Sequence, residues 1–96
     1  MRGEYYAKYR GFPGLTVKHV RSEAARRDLS RVGLAFIFRE GADQPIAEFS
    51  YWTDRAIGEH CNVWINGTLV ASTYGIGEAL AVVCRHFQLG EIACLV

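Results

Sequence analysis

No stretch of this sequence stays apolar for long. The longest unbroken run, Ala79-Leu80-Ala81-Val82-Val83-Cys84, is far short of the roughly 20 residues a membrane-spanning helix needs. The opening Met1-Arg2-Gly3-Glu4-Tyr5-Tyr6 carries a positive charge without the apolar core of a secretory signal, so the expected location is cytoplasmic. Proline is scarce at two residues, and there are no linkers or low-complexity stretches. Cysteine is scarce and odd in number: Cys61, Cys84 and Cys94 form neither a Cys-x-x-Cys pair nor a complete disulfide framework. Each lies among apolar neighbours, so the expectation is three small buried hydrophobes. Asn66-Gly67-Thr68 fits a glycosylation sequon but reads better as a turn.

What is present is the composition of a folded domain. Half of the 96 residues are hydrophobic and 22% are charged, close to ordinary globular usage. A chain of this length suits one domain, residues 1–96, because either half alone could not bury a core. The net charge of +1 conceals a polarity. Residues 1–31 hold eight Lys and Arg against three Asp and Glu, leaving three against seven in the remainder. Such a basic third can face an acidic partner or nucleic acid.

Periodicity supplies the elements. Tyr5 to Arg10 alternates as a strand does, and Pro13-Gly14 is the preferred centre of a type II turn leading to a second strand from Leu15 to Val20. Ser22 can cap a helix reaching Arg31, with Ala25, Leu29 and Val32 as its apolar stripe and Gly33 as its stop. Leu34-Ala35-Phe36-Ile37-Phe38 is apolar on both faces and therefore central. Ile46 to Trp52 returns beside it, and Thr53 to His60 is a polar connection. Asn66-Gly67 between Cys61–Ile65 and Thr68–Thr73 specifies a type I′ hairpin, with Ile65 opposite Thr68, Trp64 opposite Leu69 and Val63 opposite Val70. Ile76 to Phe87 is amphipathic, with Gly90 as its stop, and Glu91 to Val96 closes the chain as a strand. The expected fold is α+β, a mainly antiparallel sheet of about five to seven strands in the order ββ-α-ββ-ββ-α-β, with two helices packed on one face.

Catalytic and metal signatures are missing. His19, His60 and His86 share no ligand spacing with one another or with the cysteines. A Cys–His pair such as Cys61 with His86 would need a contact and an orienting third group that sequence cannot supply. Ser50 and Ser72 lack a nucleophile-elbow context. Gly75-Ile76-Gly77 precedes a helix, but its third glycine is absent and too little chain follows for a dinucleotide-binding unit. No cofactor, no metal and no enzymatic activity are expected; a small enzyme built on a Cys/His site ranks last among the readings.

Two features point to binding. Trp64 and Leu69 oppose the face holding Val63, Ile65 and Val70, while Ala35 and Ile37 oppose Leu34, Phe36 and Phe38. Two short helices can shelter only one of these sides, so part of the other calls for cover by loops such as the N-terminal hairpin, by a second copy or by a partner. Separately, Arg2, Lys8 and Arg10 interleave with Tyr5, Tyr6 and Tyr9, a composition suited to single-stranded nucleic acid, to which Arg26, Arg27 and Arg31 could add. The expectation is a small non-enzymatic protein-binding module of the inhibitor or adaptor kind, in the genre of phage and mobile-element proteins that block host defence machinery, anti-CRISPR proteins among them. Its partner would be a protein or ribonucleoprotein, with homodimerisation a further form and nucleic-acid binding the alternative. The contact residues expected are Trp64, Leu69, Tyr6, Arg10, Arg27 and Arg31.

Overall fold

Strands follow one another across a single sheet in the order in which they occur in the chain. The structure, a computed structural model, describes residues 3–21, 31–54 and 58–88. Within them lie β1 (Gly3–Ala7), β2 (Leu15–Arg21), β3 (Arg31–Arg39), β4 (Ala47–Asp54), β5 (Gly58–Ile65) and β6 (Thr68–Thr73), followed by the helix α1 (Ile76–Phe87). The six strands form one sheet, ordered β1-β2-β3-β4-β5-β6, and every neighbouring pair is antiparallel.

The α+β class and the antiparallel sheet agree with the sequence reading, but the layout differs. One helix, not two, is found among the described residues. The expected helix from Ser22 and the expected strand Glu91 to Val96 lie outside them. Arg31, Val32 and Gly33, which the sequence assigned to the end of that helix and its stop, instead open β3, where they pair with Thr53, Trp52 and Tyr51 of β4. The ladder with β4 runs unbroken from here to Ile37, and β-branched Val32 suits a pleated strand better than a helix end. The polar connection expected from Thr53 to His60 is mostly strand as well, since β4 reaches Asp54 and β5 starts at Gly58.

Alternation decides which side of the sheet is core. Leu15 and Val17 of β2, Ala35 and Ile37 of β3, Phe49 of β4, and Cys61, Val63 and Ile65 of β5 all face one side and are buried. Against this side α1 sets Ala79, Leu80, Val83 and Cys84, one stripe at helical spacing. Glu78 in the first turn accepts a hydrogen bond from the Tyr74 N–H (2.9 Å), which satisfies a backbone donor just ahead of the helix. The helix ends at Gln88, in the left-handed conformation with φ 53°, two residues before the Gly90 expected to stop it.

Turns show where local signals were sufficient. Asn66 and Gly67 have φ of 53° and 75°, as a type I′ hairpin requires. Ile65 opposes Thr68 and Trp64 opposes Leu69 as expected, but a bulge then moves Val63 opposite Ala71 in place of Val70. Val70 is consequently 38% exposed and does not join Val63 in the core. At the first turn the positive φ belongs to Gly11 (91°), not Gly14. The Phe12 N–H donates to the Tyr9 carbonyl and the Leu15 N–H to the Phe12 carbonyl, so two turns in succession replace the single type II turn. Pro13 at the second position of the latter turn is compatible with either sign of ψ there, which is why the dipeptide did not fix the turn type.

Gly33 has a packing role. A β-carbon there would lie 2.5 Å from both Cζ and Oη of Tyr51, whose ring covers the glycine from the paired strand. Gly33→Ala should destabilise the chain by about 1–3 kcal/mol, the usual cost of overpacking, seen as a lowered denaturant midpoint with unchanged slope.

Candidate functional site: the open face of the sheet

The side opposite the core carries its own apolar surface. Residues that alternate with the core set point there, and the registers align them in rows across the strands. One row runs Tyr6, Lys18, Phe36, Glu48, Trp64, Leu69 from β1 to β6. The next runs Glu4, Val20, Leu34, Ser50, Asn62, Ser72. Leu34 is 41% exposed, Leu69 46% and Tyr6 66%, while Val20, Phe36, Phe38 and Trp64 are half-buried by their neighbours. Exposed apolar side chains gathered on one face, here interspersed with Lys18, Glu48, Ser50, Asn62 and Ser72, are a feature of interaction sites.

Hydrogen bonds fix parts of that surface. Trp64 Nε1 donates to Ser50 Oγ at 3.0 Å, which lays the indole along the face. Ser72 Oγ donates to Asn62 Oδ1 at 2.8 Å. Trp52 stacks on His60 with centroids 4.8 Å apart, and Tyr74 leans on the same imidazole at 5.0 Å. The His60 Nε2 atom is buried in this stack and has no hydrogen-bond partner among the described residues. Between Phe36, Glu48, Trp64 and the Asn66-Gly67 turn lies a cavity of about 160 Å³. This is small for a metabolite site and suited to a single inserted side chain.

A second cluster belongs to the core side. His19, 3% exposed, has Tyr9 Oη 2.6 Å from Nε2 and Tyr51 Oη 3.1 Å from Nδ1, and Tyr5 stacks on its ring at 4.7 Å. One ring nitrogen donates and the other accepts in either neutral tautomer. Both nitrogens of a buried imidazole are thus met, and the cluster ties β1, β2 and β4 together.

The residues expected from sequence separate into groups. Tyr6, Trp64 and Leu69 share one row of the open face. Arg10 is exposed in the turn after β1, away from that row, Arg27 lies outside the described residues, and Arg31 heads β3. The basic aromatic segment does not present one surface. Tyr5 and Tyr9 turn inward to His19, Tyr6 turns outward, and Lys8 is bound to the Pro13 carbonyl and the Glu40 carboxylate. Lys18, Leu34, Glu48 and Trp52 were not singled out as contact residues. Alternation marks each of them as outward-facing, but only the long-range register shows that they share a face.

The cysteines and histidines named from the sequence are separated among the described residues. Cys61 is wholly buried on the core side, whereas His60 beside it stacks with Trp52. Cys84 is disulfide-bonded, which corrects the expectation of a plain buried thiol there. Among the described residues no group of three or more His, Cys, Asp or Glu could hold a metal ion, and no helix is long and apolar enough to cross a membrane. Neither a protein-family model, a curated protein nor a solved structure matches the chain.

Proposed function

We propose that this chain is a protein-binding module with no catalytic activity of its own, of the inhibitor or adaptor kind, and that the open face of the sheet is its contact surface. The observation that carries this reading is the exposure of Leu34, Leu69 and Val70 on or beside a face whose remaining apolar side chains are only half covered. Burial of that surface is the main favourable term available to an association. The Trp64–Ser50 hydrogen bond supports it further, because an aromatic anchor held in place before binding loses less freedom on contact.

The test uses the surface itself. A protein that co-purifies with the tagged chain from its own host, once identified and purified, should bind the wild type. It should fail to bind a Leu34→Ser/Leu69→Ser variant and still bind an Arg85→Ala variant, altered on the exposed side of α1. Equal binding to all three would place the contact elsewhere.

No observation favours nucleic-acid binding over this reading. Titrated with labelled single-stranded DNA and RNA, the chain should show no affinity that falls steeply with salt, the mark of phosphate contacts. The disulfide at Cys84 is at odds with the reducing cytoplasm expected from the sequence, since such bonds persist mainly in oxidising compartments.

A further inference from the structure

The open face is self-complementary. Its axis is β3, whose outward Leu34, Phe36 and Phe38 are all apolar. In the row through Phe36 the two charges sit one strand to either side, Lys18 on β2 and Glu48 on β4. Glu48 makes no ion pair or hydrogen bond among the described residues, and the only cation contact of Lys18 there is with the Tyr6 ring, 5.9 Å from nitrogen to centroid. A rotation of half a turn about a line along β3 carries β4 of one copy over β2 of another and keeps each row in place.

We propose that the open face binds a second copy of this chain across such a two-fold axis, setting Lys18 of each copy against Glu48 of the other. This rests on the open face being the contact surface, and it names the occupant. The same rotation stacks Leu34 and Phe36 on their own counterparts and brings Tyr6 over Trp64 of the second copy. The interface is thus isologous and closes at two chains. The approaching lysine enters the cavity of about 160 Å³ between Phe36 and Trp64 that holds Glu48 at its edge. There a carboxylate and two aromatic faces all favour a cation.

Size permits a weak contact. Under this rotation β1 to β5 of one copy lie over β5 to β1 of the other, roughly 19 Å across at about 4.8 Å spacing and roughly 26 Å long for eight residues at about 3.3 Å. This flat overlap of roughly 500 Å² is smaller than the roughly 800 Å² per partner of a standard interface, the size of a weak dimer whose register is set by charge. Sheets packed face to face lie about 10 Å apart, a gap that opposed Lys and Glu side chains can span.

Charge exchange tests the arrangement. In sedimentation equilibrium at low salt the wild type should have twice the chain mass. Lys18→Glu and Glu48→Lys should each weaken the dimer about tenfold or more, because like charges then face each other at both ends of the row. Mixing the two single variants should restore a dimer, since position 18 of either chain then meets the opposite charge at position 48 of the other. The double variant Lys18→Glu/Glu48→Lys should also dimerise, to within about threefold of wild type. Circular dichroism confirms that every variant is folded. A monomeric wild type overturns the second copy as occupant but leaves the face available to another protein. A wild-type dimer that neither single variant weakens overturns self-contact through this face and points to pairing at the strand edges. Weakened variants that do not recover on mixing overturn the Lys18–Glu48 register.

Discussion

A chain bearing Leu34→Ser and Leu69→Ser should melt close to the wild type and associate more weakly. Both side chains are more than two-fifths exposed, so their truncation removes little burial from the folded monomer, and surface changes of this kind typically move stability by no more than about 0.5 kcal/mol. Their effect on binding is of another order. Leu34 sits at the centre of the proposed contact and Leu69 at its rim; truncating a well-packed central residue can cost about 2 kcal/mol, so the pair should weaken association by about tenfold or more. Leu34 lies on the proposed axis and is removed from both copies at once. Thermal denaturation and sedimentation on the same samples separate the two quantities. An unfolded double variant would show that these residues belong to the core.

The reverse result is expected on the other side of the sheet. Phe49 is fully buried on the core side between Ala35 and Val63 of the paired strands, and Phe49→Ala should cost about 3–5 kcal/mol through lost burial and the cavity left behind. A domain of this size has only about 5–15 kcal/mol to lose. The variant should therefore show a large drop in denaturant midpoint. If Phe49→Ala were as stable as Leu34→Ser/Leu69→Ser, the assignment of the two faces would be wrong.

Local chemistry made part of this architecture legible. Asn-Gly sets a turn by its own backbone preferences, and the hairpin around Asn66-Gly67 is where the sequence placed it. The helix Ile76–Phe87 was equally clear, because its stripe repeats within a few turns. The unbroken apolar run Leu34 to Phe38 announced a strand with two apolar faces. What escaped reading depends on neighbours far along the chain. Arg31 to Gly33 look helical when only Ala25 and Leu29 are considered, yet the ladder with Tyr51, Trp52 and Thr53 captures them. The bulge beside Trp64 has no local signal in Val63-Trp64. Gly33 could be noticed as a glycine but not as the floor beneath Tyr51.

The candidate site illustrates the same division. Trp64, Leu69 and Tyr6 could be named as outward-facing from alternation alone. That they lie in one row with Lys18 and Glu48 follows only from five registers acting together, and a slip of one residue in β2 or β4 would turn Lys18 or Glu48 toward the core. Arg10 and Arg31 were grouped with the contact residues by composition, which carries no information about facing.

Strand order that repeats chain order has a consequence for how the molecule comes into being. Each strand finds its template in the one synthesised immediately before it, so no pairing has to wait for a distant segment to leave the ribosome. The sheet can lengthen sideways as translation proceeds, and short separations between partners favour rapid assembly among β-rich chains. The apolar side of β5 and β6, however, stays wet until α1 emerges to dock on it. The interval between completing β6 and docking that helix is therefore one in which a nascent chain can stick to its neighbours.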